Sequence, residues 1–402
     1  MAHTYLLVIS GQDQPGITSD LLNCLPDEDV VIDVQQILSE GMLTLHLMIR
    51  SKQSINALHN DLVARMDNYG VELRIHEARP NFVENSTDQL VVTVMAQELA
   101  VATLSHLTRA ILQTGCNIDS IQRVAKYPVT ALELRVSGGD ITTLRLKLSE
   151  IAIKNHIDLA VQSGSLQRRG RHLIVLDVDS TLIQEEVIDL LGEFLGVRQE
   201  IAAITEQAMR GEIDFESALR QRVHLLSGTP MNVLSEVQEK VTLSPGARTL
   251  FRVLKYLDYN IALVSGGFDF IVEYLAKDLG ADAFKANRLE VIDGVLTGKI
   301  QGDVIDRNAK AQALIRFAQE FKIPIERTIA IGDGANDIDM MSVAGLGIAF
   351  NAKPAVQKAA DTSVNVPYLD SILYLLGITR GEIEQLNREL GAASFPLGND
   401  ER

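Results

Sequence analysis

The sequence is poor in cysteine and contains no tryptophan. Of its 402 residues only Cys24 and Cys116 are cysteines, and they fall in two separate segments, each near a predicted helix end. Two cysteines so far apart provide neither a disulfide framework nor the close spacing of a metal site. The sequence therefore predicts a protein of a reducing compartment, the cytoplasm.

Long apolar runs and an excess of basic residues are also lacking. No stretch of about 18 apolar residues occurs, and no basic leader precedes the first apolar run, so we expect neither a membrane span nor a signal peptide. Acidic residues outnumber basic residues by 53 to 37, which gives a net charge of −16. This charge repels the phosphate backbone of nucleic acids, so we expect no nucleic-acid partner.

Two similar segments fill the N-terminal part of the chain. Residues 1–80 and 88–163 each show strand and helix patterns in the order β-α-β-β-α-β. This order is typical of the ferredoxin-like arrangement, with helices on one face of an antiparallel sheet, and its repetition suggests duplication. The polar stretches 79–87 and 163–171 are predicted linkers.

The remaining chain has a different pattern. From residue 171 to 385, apolar strands alternate with longer helices, which predicts an α/β domain with a parallel, doubly wound sheet. Between residues 184 and 245 only helical periodicity occurs, so this segment is a predicted helical insertion. Asp293-Gly294 between apolar flanks predicts a β-hairpin with a type I′ turn. Residues 386–402 are a predicted charged tail.

Polar residues follow three apolar strands of this domain. Leu173–Leu176 leads to Asp177 and Asp179, Ile261–Val264 leads to Ser265 and Gly266, and Thr328–Ile331 leads to Asp333, Asn336 and Asp337. Open α/β sheets bind ligands where their strands end. Because Asp177 and Asp179 repel each other unless a cation or a proton neutralises them, the pair indicates a divalent metal, an acid/base role, or both.

Each of these residues also has a purely structural interpretation. Asp179 or Ser180 could cap a helix, Ser265-Gly266-Gly267 could be only a tight turn, and Asp333 could favour a turn. Lys310, which starts the helix before the third strand, could be a solvated surface lysine. Together, however, they supply oxygen ligands, anion donors and a positive charge, which are the groups that bind a phosphoryl group beside Mg²⁺.

Four motifs in order then identify a family. Asp177-Val-Asp179-Ser-Thr181, Ser265-Gly266, Lys310 and Gly332-Asp333-Gly-Ala-Asn336-Asp337 resemble the motifs of the haloacid dehalogenase-like (HAD) phosphatases. Within this family, about residues 171–380 resemble the phosphoserine phosphatases. The resemblance implies a HAD-type Rossmann-like sheet with a helical cap, Mg²⁺ as cofactor, and hydrolysis of O-phospho-L-serine as the last step of serine biosynthesis.

The resemblance also implies individual roles. Asp177 resembles the nucleophile that forms an aspartyl-phosphate, and Asp179 resembles the general acid for the serine oxygen and then the base for water. Asp333 resembles a metal ligand beside Asp177 and the carbonyl of Asp179, with Asp337 as a supporting carboxylate near the metal. The groups implied to hold the phosphoryl oxygens are Ser265, Gly266, Lys310 and Asn336.

Substrate choice is expected in the helical insertion. Phosphoserine needs an anion for its ammonium group and a cation for its carboxylate, and the resemblance assigns these roles to Glu186 and Arg222, with Met209 and Phe215 as apolar walls. From spacing alone, Glu186 fits the first turn of a helix, where acids are favoured, and Arg222 fits a surface charge. Closure of this cap would exclude water from the site.

Each N-terminal repeat resembles an ACT domain, a ferredoxin-like module that binds amino acids at domain interfaces. In the first repeat, Asp13-Gln-Pro15-Gly16 matches the family's loop, where Gly16 permits close backbone approach and the helix N-terminus favours a carboxylate. A plain strand–helix turn would look much the same. Residues 97–101 of the second repeat have neither Pro nor Gly, which puts its ligand binding in doubt. We therefore expect L-serine as a feedback effector at the first repeat, and a homodimer formed through the ACT domains.

Two other functions stay open at this point. The same chemistry could act on another small phosphate ester or on a phosphoprotein. Alternatively, the chain could be an amino-acid sensor with an idle phosphatase fold. The complete set Asp177, Asp179, Ser265, Lys310 and Asp333 favours catalysis, because an idle site has no need of all five.

Overall fold

The computed structural model describes residues 2–78, 89–164, 168, 170 and 172–390. The predicted linker at 79–87 lies outside the described residues, as do most of the predicted linker at 163–171 and residues 391–402 of the predicted tail. The chain divides into two compact units after Asn85. One unit holds the first repeat, and the other holds the second repeat together with the C-terminal domain.

The first unit is a four-stranded antiparallel sheet, in the order β2-β3-β1-β4, with two helices on one face. Alternate residues of β1, such as Leu7 and Ile9, are fully buried against Leu21 and Leu58 of the helices. This arrangement confirms the predicted β-α-β-β-α-β order. Its elements are β1 (His3–Gln12), α1 (Ile17–Asn23), β2 (Val30–Ser39), β3 (Met42–Ser51), α2 (Ile55–Met66) and β4 (Glu72–Glu77).

The second repeat has the same order of elements, and its sheet runs β6-β7-β5-β8. One sheet face packs on its helices, as Val92 and Val94 show. On the opposite face, Met95 and Ala131 belong to the same apolar cluster as Ile174 of the C-terminal domain, so the two share one core. The elements are β5 (Gln89–Ala96), α3 (Val101–Gln113), β6 (Asn117–Ala125), β7 (Thr130–Ser137), α4 (Ile141–Asn155) and β8 (Asp158–Ser163).

The predicted helical insertion follows the first strand of the C-terminal domain, β9 (Leu173–Leu176), and consists of four helices. They are α5 (Val187–Leu195), α6 (Arg198–Met209), α7 (Phe215–His224) and α8 (Asn232–Gln238). The chain segments that enter and leave this cap are paired, since Ile183 bridges Leu243 and the amide of Gln184 donates to the carbonyl of Thr242 at 2.9 Å. The cap is therefore joined to the sheet domain by two adjacent segments.

The C-terminal domain is built on a seven-stranded sheet in the order β12-β11-β10-β9-β13-β14-β15. Only β11 and β12 pair antiparallel among its described strands, and their turn has φ values of 51° at Asp293 and 77° at Gly294, as a type I′ turn requires. The remaining elements are α9 (Ala247–Tyr256), β10 (Asn260–Phe268), α10 (Asp269–Leu279), β11 (Ala283–Ile292), β12 (Val295–Gln301), α11 (Arg307–Glu320), β13 (Thr328–Gly332), α12 (Ile338–Val343), β14 (Leu346–Phe350), α13 (Pro354–Gln357), β15 (Thr362–Val364), α14 (Ile372–Leu375) and α15 (Arg380–Leu390).

The last helix corrects one sequence prediction. The charged tail was expected from residue 386, but α15 continues to Leu390 and buries Ile383 and Leu386 against the domain core. The many charged residues of this segment occupy the other faces of an amphipathic helix, which a composition argument alone does not separate from a tail. Among the described helices, none has the length and apolar character needed to cross a membrane.

A buried carboxylate joins the second repeat to the edge of the large sheet. Asp158, at the start of β8, is 3% exposed, and its Oδ2 accepts hydrogen bonds from the amides of Asn365 at 2.8 Å and Val366 at 3.2 Å. Its Oδ1 accepts a third from Nδ2 of Asn365 at 2.8 Å. Burial raises the pKa of Asp158, and the hydrogen bonds from Asn365 and Val366 oppose that rise.

We predict that Asp158→Ala lowers the free energy of unfolding of this unit by about 2–3 kcal/mol, because the backbone N–H groups of Asn365 and Val366 lose a charged acceptor. Chemical denaturation followed by circular dichroism measures the change. The control is Glu150→Ala, on the solvent side of α4, where an exposed 3.5 Å ion pair with Lys147 is lost. It should change stability by less than about 0.5 kcal/mol. Equal effects of the two substitutions would contradict a joining role for Asp158.

Candidate active site

The candidate site lies where three neighbouring parallel strands end. β9 is hydrogen-bonded to β10 on one side and to β13 on the other, and Leu176 pairs with Leu263 and with Ile331. The residues that follow these strands therefore meet at one edge of the sheet. This places Asp177 and Asp179 beside Ser265 and Asp333, as the strand pattern predicts.

A lysine between two carboxylates forms the floor of the site. Nζ of Lys310 donates to Oδ1 of Asp177 at 2.7 Å and to Oδ1 of Asp337 at 2.6 Å, and all three side chains are buried. Burial by itself lowers the pKa of Lys310, but its ion pairs with Asp177 and Asp337 outweigh burial and raise that pKa. Lys310 is thus a permanently charged, buried cation, and the interpretation of it as a solvated surface lysine is wrong.

Asp179 accepts hydrogen bonds from the cap and from strand β10. Its Oδ1 accepts from the amide of Val187, the first residue of α5, at 2.8 Å, and its Oδ2 accepts from Oγ of Ser265 at 2.8 Å. The same Oγ accepts from the amide of Gly267 at 2.7 Å. A Cβ atom on Gly267 would collide with the Asp179 carboxylate. Burial raises the pKa of Asp179, a shift that favours its holding a proton for transfer.

Three carboxylates converge where a hard cation could bind. One ligand oxygen of each of Asp177, Asp333 and Asp337 lies within 4.8 Å of the others. Asp337 already uses both its oxygens, since Oδ2 accepts from the amide of Gly334 at 3.0 Å and Oδ1 binds Lys310. Asp177 and Asp333 are therefore the better candidates for metal ligands, and Asp337 is better placed to hold Lys310 and the loop.

The electrostatics of Asp333 agree with such a site. Burial, followed by repulsion from Asp337, raises the pKa of Asp333 to about 6, while a hydrogen bond from Oγ1 of Thr181 at 3.0 Å opposes the shift. Burial also raises the pKa of Asp177, and the charge of Asp337 adds to that rise. A divalent cation would reverse both shifts, because opposite charge favours the carboxylate form.

The cap closes one side of the pocket above these groups. Cap residues and strand-end residues line the same cavity: Glu186, Ile188, Phe215, Leu219, Arg222, Asp177, Asp179, Gly266, Gly267, Phe268, Asp333, Gly334 and Asn336. The structure thus brings Glu186, Phe215, Arg222 and Asn336 to the strand ends. Met209 lies at the end of α6, and its side chain is outside the described part of the chain.

Glu186 and Arg222 supply opposite charges to this pocket. Partial desolvation, followed by repulsion from Asp179, raises the pKa of Glu186 to about 7, while Oγ of Ser180 donates to its Oε1 at 3.0 Å. The hydrogen bonds of the Arg222 guanidinium are long, at 3.4 Å each, and go to the carbonyl of Ala218 and to Oγ1 of Thr205. The pocket therefore offers a carboxylate that a cation would stabilise and a guanidinium with unused capacity for an anion.

The loop predicted to bind an effector lies in the other unit. Asp13, Pro15 and Gly16 are exposed, and Gly16 has φ of 102° immediately before α1. A Cβ atom on Gly16 would approach the hydroxyl of Tyr69 to 2.9 Å. The loop is thus a real left-handed turn that a side chain would disturb, but a simple strand–helix turn has the same geometry.

Sequence reasoning missed several supporting residues. Thr181 was named only as part of a motif, yet its hydroxyl donates to Asp333. Ser244 lies at the end of the cap segment, and its Oγ donates to the carbonyl of Thr181 at 2.7 Å. Asn287 of β11 is 1% exposed and contacts Gly266. A lone polar residue in a strand carries no pattern of its own, so only the contacts reveal it.

Comparison with known proteins places these features in a family. Residues 174–342 match the family model for haloacid dehalogenase-like hydrolases, and residues 3–76 and 86–162 each match an ACT domain. The chain is 43% identical over 385 residues to a phosphoserine phosphatase of Mycobacterium tuberculosis, covering 94% of each protein. It is 44% identical to a phosphoserine phosphatase of Streptomyces coelicolor, covering 95% of this chain and 94% of that protein.

Solved structures agree on the fold. A HAD family hydrolase from Salmonella enterica serovar Typhi superposes with a TM-score of 0.63 at 30% identity, covering 71% of this chain and 98% of that one. A probable phosphoserine phosphatase from Vibrio cholerae, in unliganded form, superposes with a TM-score of 0.58 at 31% identity, covering 76% of this chain and 91% of that one.

We predict that Lys310→Met lowers the free energy of unfolding by about 3–5 kcal/mol at pH 7, because Asp177 and Asp337 lose their shared cation in a buried site. Lys310 opposes the burial that raises the pKa of Asp177, so in the variant this pKa should rise further, and above pH ~4 the unfolded chain releases a proton that the native variant retains. The loss of stability in the variant should therefore grow as the pH rises and be smaller at pH 5.

Denaturation in metal-free buffer at several pH values measures this effect. The control is Lys277→Met, which removes an exposed lysine paired with Glu273 on α10. That substitution should change stability by less than about 0.5 kcal/mol at every pH. A Lys310→Met protein with the same pH dependence as the wild type would contradict the role of the buried cation.

Proposed function

Because the chain belongs to the phosphoserine phosphatases, HAD-like hydrolases that here carry two N-terminal ACT domains, we propose that it hydrolyses O-phospho-L-serine to L-serine and phosphate, as the last step of serine biosynthesis. The observation that carries the proposal is one pocket with two ends. Asp177, which binds the buried Lys310, and Asp179 line an end suited to a phosphoryl group, and Glu186 and Arg222 line an end suited to an amino acid.

The reaction follows from the placement of the two aspartates. A carboxylate oxygen of Asp177 attacks phosphorus and forms an aspartyl-phosphate as the bond from phosphorus to the serine oxygen breaks. Asp179, whose pKa is raised by burial, gives its proton to the departing serine oxygen. Asp179 then takes a proton from the water that attacks phosphorus, which releases phosphate and restores the Asp177 carboxylate. Lys310 and the backbone amide of Gly266 are proposed to compensate the charge of the phosphoryl oxygens.

We propose Mg²⁺ as the cofactor, held by Asp177 and Asp333 with Asp337 in support. Three buried or half-buried carboxylates that crowd one another, with raised pKa values for Asp177 and Asp333, have the donor chemistry of a hard divalent cation. When bound, the ion would supply positive charge for the phosphoryl oxygens. Activity that is unaffected by removal of divalent metals with a chelator would contradict this assignment.

We propose that Glu186 binds the substrate ammonium group and Arg222 its carboxylate. Burial, followed by repulsion from Asp179, raises the pKa of Glu186 to about 7, and an ammonium group bound beside it would favour its charged form. Phe215, whose ring approaches the position of a Cβ on Gly266 to 3.3 Å, closes the space between the two ends, and Met209 is proposed as a second apolar wall.

We propose that the first repeat senses L-serine through Asp13, Pro15 and Gly16, and that the chain forms a homodimer through its ACT domains. The edge strand β2 exposes Val34 at 55% and Leu38 at 58%, which favours pairing with a second copy. Serine inhibition that is absent, or that survives in Gly16→Asp, would contradict the sensor. A monomer in sedimentation would contradict the dimer. Free Cys24 and Cys116 support a cytoplasmic location, which cell fractionation tests.

We predict that wild-type protein with Mg²⁺ releases phosphate from O-phospho-L-serine and that Asp177→Asn lowers kcat by about 1,000-fold or more, since the nucleophile loses its charge while keeping its shape. A phosphate-release assay measures both. Asp278→Asn, which changes an exposed carboxylate paired with Arg248, is the control and should retain wild-type kcat. A wild type inactive on every phosphate ester would favour the idle sensor over the enzyme.

We predict that Arg222→Ala lowers kcat/KM for phosphoserine by about 100-fold, because one charge-assisted carboxylate contact is lost, and leaves hydrolysis of an aryl phosphate unchanged. The matched control is Arg220→Ala, two residues away on α7, where an exposed ion pair with Glu216 is lost without effect on either substrate. Equal losses on both substrates would contradict the specificity role. A wild type that hydrolyses aryl phosphate but spares phosphoserine would point to another phosphate ester or a phosphoprotein.

A further inference from the structure

The strand that carries Ser265 and Gly266 leaves its ladder at the active site. β10 pairs in parallel with β11 through Val264 and again at Phe268, which lies opposite Asn287, but the register shifts between these points. Ser265, Gly266 and Gly267 thus bulge out of the regular pairing. Backbone groups in such a bulge need other partners, because unpaired buried polar groups are costly.

Asn287 supplies the partner for this bulge from the neighbouring strand. Its Nδ2 donates to the carbonyl of Gly266 at 2.8 Å, and its Oδ1 accepts from the amide of Ile305 at 2.8 Å. The residue is 1% exposed and does not line the pocket. One side chain therefore joins the turn that faces the phosphoryl end of the pocket to the segment that precedes α11.

That second segment positions the buried lysine. Ile305 is followed by Asp306, whose Oδ1 accepts from the amide of Ala309 at 2.8 Å and so caps α11. The amide of Lys310 donates to the carbonyl of Asp306 at 3.0 Å in the first turn of this helix. Whatever fixes Ile305 thus also fixes the start of the helix that carries Lys310.

We propose that Asn287 is a positioning residue for the phosphatase reaction, setting the Gly266 turn and Lys310 at the spacing that the transferring phosphoryl group requires. The inference rests on the proposed function but concerns a residue outside the pocket. Only a carboxamide of this length makes both bonds: aspartate has no donor for the Gly266 carbonyl, and leucine has neither donor nor acceptor. A displacement of about 1 Å in such a group costs about 100-fold in rate.

The test compares Asn287→Asp and Asn287→Leu with wild type on O-phospho-L-serine and on an aryl phosphate. We expect both variants to lower kcat by about 10- to 100-fold, by the same factor on both substrates, because the two share only the phosphoryl end. KM for phosphoserine should stay within about three-fold, since Glu186 and Arg222 still hold the amino acid.

The matched control is Asn365→Leu. Asn365 also donates and accepts through its carboxamide, to Asp158 and from Gln357, but it lies at the opposite edge of the sheet, beyond β15. This variant should keep wild-type kcat whatever its melting temperature. The loss of kcat in the Asn287 variants should also persist well below their own melting temperatures.

Three outcomes would overturn the proposal. Asn287→Asp with kcat within about three-fold of wild type would show that the donation to Gly266 is not needed. A loss confined to phosphoserine would place Asn287 with substrate recognition. An Asn287→Asp chain that does not fold would make Asn287 a folding residue. Failure of wild type on both substrates would instead refute the proposed function itself, so the two failures are distinguishable.

Discussion

The structure of the C-terminal domain depends on a buried cluster of ion pairs between one lysine and two aspartates. Asp177 follows β9, Asp337 follows β13 and Lys310 starts α11, and their side chains meet with little exposure to water. Two buried carboxylates without a cation would be expensive, and one lysine between them makes their joint burial possible. The ion pairs join two strand ends and a helix, and they keep Asp177 oriented toward the pocket. The negative charge that remains, together with Asp333, is compatible with a bound metal ion.

The cap contributes side chains to the same pocket as the strand ends. Its two connecting segments are paired with each other. Ser244, at the end of the cap segment, donates to the carbonyl of Thr181, and the hydroxyl of Thr181 donates to Asp333. Asp179 accepts a hydrogen bond from the first amide of the first cap helix. The cap and the strand ends are thus in direct contact through groups of the site. The amino-acid recognition proposed for the cap and the acid/base role proposed for Asp179 are therefore expected to be linked.

Most of the fold follows from the sequence because each element has a clear pattern. The strand Leu173–Leu176, the helical insertion between residues 184 and 245 and the Asp293-Gly294 turn were predicted from the sequence. The candidate site could also be predicted from the sequence, because its groups come directly after apolar strands or form motifs of a known family. The role of Asn287 could not be predicted from the sequence, since it depends on a bulge in the neighbouring strand. The last helix was mistaken for a tail in part because its apolar residues are few, and its burial depends on a distant partner surface.

The two ACT copies also differ in the packing constraints that act on substitutions in each. One sheet face of the second copy packs in the core that contains Ile174, while the edge strand β2 of the first copy exposes apolar side chains. The packing of the second copy is thus constrained by the same core as the C-terminal domain. Substitutions in that copy are therefore expected to be selected against when they destabilise the C-terminal domain. The first copy has a core of its own, so substitutions there are constrained by that core instead.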